Sequence, residues 1–507
     1  MGVPHPCYIA LDAMLFNSIP FLFFFLPAVL LGIYLIGRMG RTPALLFLNL
    51  ASLFFYAWWN PKYLLLLLGS ITFNLLCAHA IAHAKRPSIP MWIGVCGNVG
   101  LLCFYKYLFP ILNSFGSLMT PEHNFGSIIL PLGISFFTLT QIGYLVDLAQ
   151  QDATLLSPVE HVFFVSFFPH LIAGPILHHR EFMPQVFAKR DFRLDWNQLA
   201  IGGTWFIMGL FKKVVLADTI APRADLLFNA PANQPMFSAW CGILSYALQL
   251  YFDFSGYSDM AIGLARMFGL RFPMNFNSPY KAQSIIEFWQ RWHITLTHFI
   301  TLYIYNPVAM AINRSRLDAG LSIGKKALKS FEGFTRMVCV PLLVTMIVAG
   351  VWHGAGRQFL AFGLLHGIYL CINHAWRTWA KALGKAIEAT RIGRVFYVVL
   401  TLAAVILAQI FFRADSVPDA YAVIRSALGL HGLGAMPHAD HIFWLMIAAF
   451  FAICWSLPNT QEILGEGDRP VRLQWRPTLA WGLAISATFF LCFVLMKPAS
   501  RFLYFQF

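Results

Sequence analysis

The chain reads as an all-α polytopic membrane protein, with about 11–13 transmembrane or re-entrant helices. Three observations predict this class. Of its 507 residues 58% are hydrophobic and 11% charged, where a water-soluble domain carries roughly 25% charged residues. Apolar runs long enough for a bilayer span, which takes about 20 residues, recur throughout. The basic residues gather in short connections beside those runs: 36 Lys+Arg against 22 Asp+Glu give a formal charge of +14, which fits the positive-inside rule and not a nucleic-acid partner. An ordinary soluble enzyme, a disordered chain and a coiled coil are excluded. The solvent is mostly lipid.

In chain order, residues 1–13 read poorly as structure, and Met14 opens a natural start as a possible true N-terminus. The run 13–37 is longer than a signal-peptide core and lacks a basic stretch before it, so it is expected to be a retained first span. Further runs free of Asp, Glu, Lys and Arg are 42–61, 63–84, 87–105, 123–146, 161–179, 226–252, 337–356, 358–376, 395–412, 441–461 and 477–496. Pro20 and Pro27 in the first, and Pro169 and Pro175 in the sixth, predict backbone groups satisfied by protein or a wet cavity. Basic connections fall at Lys85–Arg86, 189–193, Lys212–Lys213, 314–329, 377–394 and 469–476, and the longest polar stretch, 313–333, is expected to be a cytoplasmic loop. No repeat or appended soluble domain is evident, so residues 14–507 are expected to form one membrane domain. Cys77, Cys96, Cys103, Cys241, Cys339, Cys371, Cys454 and Cys492 lie in apolar sequence without a C-x-x-C pair, and read as buried free thiols.

Ionisable residues inside apolar runs carry the functional information, because each is costly in lipid unless paired or wetted. In QLYFDFSGYSDMAIGLARMFG, Asp253 and Asp259 are six apart and so face different sides of a continuous helix. A broken helix with a cation or proton site is the alternative to a structural role, in which either aspartate binds backbone amides or pairs with Arg266 or Arg271. In IIEFWQRWHITLTHFITLYIYNP, Glu287 and Arg291 stand at i,i+4 and are expected to pair. Trp289 and Trp292 suggest an amphipathic helix near the membrane boundary, with His293 turned toward the protein. In MIVAGVWHGAGRQFLAFGLLHGIYL, glycines 350, 354 and 356 bracket His353, so that a narrow substrate could approach it, and His366 follows.

Other chemistries lose support. His79 and His83 have i,i+4 spacing without an intervening HExxH glutamate, and His178–His179 and the His431, His438, His441 group lack acidic partners at useful spacing, so no metal is expected. No P-loop, nucleophile elbow or dinucleotide fingerprint occurs. Histidine base chemistry within a membrane remains, with a transporter, a channel or a non-catalytic scaffold as alternatives. Repeated halves of the kind many carriers possess are not evident.

Taken together, LFNSIPFLFFFLPAVL, FFPHLIAGPI, the Asp253 block, FNSPYKAQSIIEFWQRWHITLTHFI, AGVWHGAG, FGLLHGIYL, FFRADSVPDA and the ending FLYFQF resemble the membrane-bound O-acyltransferases. The likeness is to the bacterial branch that acetylates alginate and, more distantly, to the one that D-alanylates teichoic acid. It implies a multi-helix fold around a tunnel, with the central histidine falling on His353 and a second motif histidine on His293. Trp352, Gly354, Trp289, Arg291, Trp292 and Asp253 are the accompanying candidates for substrate contact. The implied activity moves an acyl group, most plausibly acetyl, from a cytoplasmic thioester to hydroxyls of an exported polysaccharide such as alginate, or to a periplasmic acyltransferase partner. Acetyl-CoA is then the donor, no cofactor is tightly bound, and the protein lies in the inner membrane. The segment VAMAINRSRLDAG departs from the alginate branch, which leaves the polymer open.

Overall fold

The computed structural model describes residues 14–119, 129–434, 438–467, 470–497 and 502–503. Expectations for residues 1–13, and for most of the FLYFQF ending, lie outside them. Among the described residues the regular structure is all helix, with no strand. Eight of their helices are long and apolar enough to cross a membrane: Pro20–Met39, Arg41–Trp59, Pro61–His83, Ser88–Lys106, Trp196–Asn229, Phe331–His353, Arg357–Trp379 and Arg391–Arg413. Ile134–Ala149, Asp440–Ser456 and Leu479–Leu495 are shorter apolar helices. The protein is thus an all-α multi-pass membrane protein.

Several boundaries differ from the sequence reading, each for a local reason. The run 161–179 is not one span: Pro158–Ser166 ends at Phe167, whose extended backbone precedes the short helix Phe168–Leu171. Pro169 has no N–H to bond the Val165 carbonyl and its ring would clash with that group, so one helix cannot run on through it. The run 226–252 breaks between helices Asp218–Asn229 and Met236–Met267, around Pro231 and Pro235. Residues 196–229 form a span that the apolar-run criterion missed, because Lys212, Lys213 and Asp218 interrupt it. The polar stretch 313–333 is not simply a loop, since Asn306–Asp318 is helical into it and Lys325–Lys329 and Phe331–Phe334 are short helices. Cys96 and Cys103 are exposed on their helix, whereas Cys77, Cys241, Cys454 and Cys492 are buried, all as free thiols.

The chain gathers into two compact units. One comprises Met1–Val215, Phe254–Met274 and Thr460–Gln506; the other comprises Leu216–Asp253 and Asn275–Asn459. The first has an aromatic core in which Phe21 packs with Phe16, Phe25, Phe55 and Phe168. Inside it Asp259 accepts from Lys212 Nζ at 2.5 Å, Thr460 Oγ1 at 2.6 Å and Trp205 Nε1 at 3.3 Å. Asp259 is therefore a structural anchor, paired with Lys212 and not with Arg266, which pairs with Glu466. Removing one member of a largely buried pair strands the other charge. Lys212→Ala is expected to cost on the order of 3 kcal/mol, whereas Arg193→Ala, which breaks the exposed pair with Asp191, should cost about 0–1 kcal/mol. Thermal unfolding of the two variants in detergent checks this, and equal losses would refute it.

Candidate active site

The second unit holds three motif histidines, and the first of them sits at a break in the chain. Ser284 caps helix Ile285–Arg291 by accepting from Glu287 N–H, and the helix stops before Trp292. His293 has φ +42°, a left-handed conformation that a non-glycine residue adopts at a cost, and helix Ile294–Ile300 begins after it. The expected single amphipathic helix is thus two helices. Segment 275–277 splices the gap: Asn277 N–H donates to Arg291 O at 2.9 Å and Ile294 N–H to Asn275 O at 3.0 Å. Arg291 contributes from its side chain, bonding Asn277 O at 3.0 Å while paired with Glu287 at 2.8 Å. The expected Glu287–Arg291 pair is present, and Arg291 braces the break.

This splice sets the chemistry of His293, which is 1% exposed. Asn275 Oδ1 accepts from Thr295 N–H at 3.3 Å and Thr295 Oγ1 at 2.9 Å, which identifies it as the amide oxygen. It also lies 3.1 Å from His293 Nδ1. Nδ1 must then carry the proton, and in the neutral ring Nε2 is the accepting nitrogen. A neutral imidazole in this tautomer accepts a proton or hydrogen bond at Nε2, whereas donation to an oxyanion from that atom requires the protonated ring.

His353 ends helix Phe331–His353 and is 7% exposed. Its ring stands 4.9 Å from Trp352, 5.0 Å from Phe412 and 6.0 Å from Phe362 between centroids. Trp352 in turn lies 6.4 Å from His293. Two histidines sixty positions apart in sequence thus flank one tryptophan. The glycines around His353 have a different task from the one the sequence suggested. A Cβ at Gly350 would stand 2.4 Å from Phe359 O, and one at Gly363 2.3 Å from Met346 O, so these residues let helices Phe331–His353 and Arg357–Trp379 meet backbone to backbone. Gly354 leaves room for the Phe359 ring, which a Cβ there would strike. Gly363→Leu must pry this hairpin apart and is expected to lower stability by roughly 1–3 kcal/mol or more. Thermal unfolding checks it, and an unchanged midpoint would contradict the packing role.

The remaining candidates separate by position. Trp289 is buried and donates from Nε1 to His366 Nδ1 at 3.2 Å, so it serves as a link between helices Ile285–Arg291 and Arg357–Trp379. His366 also contacts Phe362 at 4.7 Å, one ring from His353. Trp292 packs among Tyr251, Phe276, Tyr280 and Phe288. Asp253 is buried on helix Met236–Met267, which is continuous and not broken, and the division of the chain puts Asp253 and Asp259 in different units. On that continuous helix the two aspartates, six residues apart, face different sides. Asn275 was missed, since nothing in its local sequence marks it; only its pairing across the 291–294 break reveals it.

A multi-pass membrane protein that buries two imidazoles around a shared tryptophan, one ring held with its accepting nitrogen set by an asparagine, is equipped for proton transfer away from bulk water. The model of the membrane-bound O-acyltransferase family, MBOAT, matches residues 134–322, a range that includes His293. The chain is 36% identical to the peptidoglycan O-acetyltransferase of Helicobacter pylori, over 97% of this chain and 98% of that protein. It is 38% identical to the Pseudomonas aeruginosa protein named "Probable alginate O-acetylase AlgI", over 80% of this chain and 74% of that one. Similarity extends at 25% identity to the teichoic acid D-alanyltransferase of Streptococcus thermophilus, over 72% and 85%. The chain belongs to the MBOAT family and is an O-acyltransferase.

Proposed function

We propose that this protein takes acetyl groups from acetyl-CoA on the cytoplasmic side of the inner membrane and delivers them to hydroxyls of an exported glycan, peptidoglycan or an alginate-like polymer, directly or through a periplasmic acyltransferase partner. The observation that carries this reading is the convergence of His293 and His353 on Trp352. Full-length similarity to a peptidoglycan O-acetyltransferase supports acetyl and a cell-surface acceptor. Similarity to an alginate O-acetylase supports the same chemistry on another polymer.

In the proposed step an acceptor hydroxyl oxygen attacks the thioester carbonyl carbon while its proton passes to the imidazole of His353. The C–S bond then breaks, the carbonyl re-forms, and CoA leaves as a thiolate that takes up the proton. A neutral imidazole, with an unperturbed pKa of about 6.5, suits this base role near neutral pH. His293 orients the reacting hydroxyl through its accepting Nε2. The burial of both rings keeps water, the competing acceptor, away from the thioester. A covalent acyl-His353 intermediate is a variant of this route, detectable as label retained on protein without acceptor.

The test is transfer from radiolabelled acetyl-CoA in proteoliposomes, with peptidoglycan fragments or alginate oligosaccharides on the opposite side. Alkali-labile ester on the glycan supports the reading. Label that crosses without forming an ester would overturn it in favour of transport.

A further inference from the structure

Within the second unit, a series of contacts among polar side chains and aromatic rings runs from the surface toward the histidines. It begins at Asp225, whose side chain is 48% exposed and which accepts from Arg413 at 3.1 Å. The Arg413 guanidinium lies over the Phe228 ring at 5.4 Å, and Phe228 meets Tyr246 at 5.3 Å. Tyr246 opens a polar face of helix Met236–Met267 that continues through Gln249, three residues on and hence on the same side. Between them Ala247 O accepts from Tyr280 OH at 2.6 Å, and Tyr280 OH is reached by Gln409 Nε2 at 3.4 Å. Gln409 shares a helical face with Phe412 and Arg413, at i+3 and i+4. Phe412 touches His353, and Tyr280 stacks on Trp292, the neighbour of His293.

The hydrogen-bonding capacity along this series is not used up by the protein. Tyr246 OH, Gln249 Oε1 and Gln409 Oε1 are buried and have no hydrogen-bond partner among the described residues. Buried polar atoms are ordinarily paired, so a row of orphans calls for a polar occupant. A lipid chain satisfies none of them. A thioester offers one carbonyl oxygen. An alcohol both donates and accepts, which suits a phenol beside amide oxygens.

We infer that Tyr246, Gln249 and Gln409 line the path by which the hydroxyl-bearing acceptor reaches the histidines, and that they recognise its hydroxyls, with the Asp225–Arg413 pair at its outer end. The inference rests on the acyltransferase reading above and assigns these residues to the acceptor, not the donor. They are specificity residues, and no bond is made or broken at them.

Two near-isosteric variants test this. Tyr246→Phe removes only a hydroxyl, and Gln249→Met keeps length while removing the orphan oxygen. Because neither atom has a protein partner to lose, the unfolding midpoint should hold or rise. The KM for the glycan oligosaccharide acetylated in the proteoliposome assay should increase roughly three- to ten-fold in each, one hydrogen bond's worth. The KM for acetyl-CoA should stay as in wild type. Unchanged acceptor KM in both variants, with active wild type, overturns this inference alone. A raised KM for acetyl-CoA instead would reassign the path to the donor and also overturns it. Wild type that forms no ester with any glycan removes the reading beneath it.

Discussion

His353→Ala is expected to lower acetyl transfer by a factor of about 10²–10⁴, the usual contribution of a positioned general base. Insertion and thermal stability should remain close to wild type, because the aromatic rings that surround the imidazole at 4.9–6.0 Å pack against one another as well. Trp352, Phe362 and Phe412 would still cover the vacated space. The comparison is of initial rates in proteoliposomes at matched protein density. Normal acetylation by the alanine variant would remove His353 from the chemistry and leave it a packing residue. A deeper loss accompanied by misfolding would show instead that the imidazole holds the hairpin, so a His353→Gln variant, which keeps polarity and volume but is no base, should be measured beside it.

The second large effect is expected at His293 and at the asparagine that sets it. His293→Ala should reduce kcat by about 10²-fold or more if the ring orients the reacting hydroxyl. Asn275→Leu should cost about 10–100-fold, by analogy with loss of the partner that orients a metal-bound histidine. The reasoning is specific to the tautomer. Without Asn275 Oδ1, neither His293 Nδ1–H nor Thr295 keeps its partner, and the proton is no longer tied to Nδ1. The two substitutions should be strongly non-additive, since both act through one ring. Rates for the single and double variants check this. Additive losses would mean that Asn275 supports the helix break and nothing more.

Much of this site is visible in the sequence because lipid makes polar residues conspicuous. His293, His353 and His366 stand out only against the apolar residues around them, and the price of burying them is what makes them informative. The Glu287–Arg291 pair follows from helical spacing, which holds over one turn whatever the rest of the chain does. Asp259 shows where such reasoning fails. Local spacing offered Arg266 and Arg271 as partners, but Lys212 and Thr460 reach it from 47 and 201 positions away. The same interruption by Lys212 and Lys213 hid the span 196–229, since a charge that looks intolerable alone is neutralised by a partner from elsewhere.

Composition and apolar runs were sufficient for the class of protein, because the roughly 30 Å hydrocarbon thickness of a bilayer imposes length and polarity on every span independently of its neighbours. Motif order likewise sufficed to single out His293 and His353. Their meeting around Trp352, the left-handed break at His293 and the tautomer dictated by Asn275 came from folding alone. Those features are contacts between segments far apart in the chain, and a contact energy between distant segments leaves no periodicity in either one. The glycines beside His353 are the clearest instance: their sequence suited substrate approach as well as helix packing, and only the carbonyl and ring of Phe359, pressed against Gly350 and Gly354, reveal the packing.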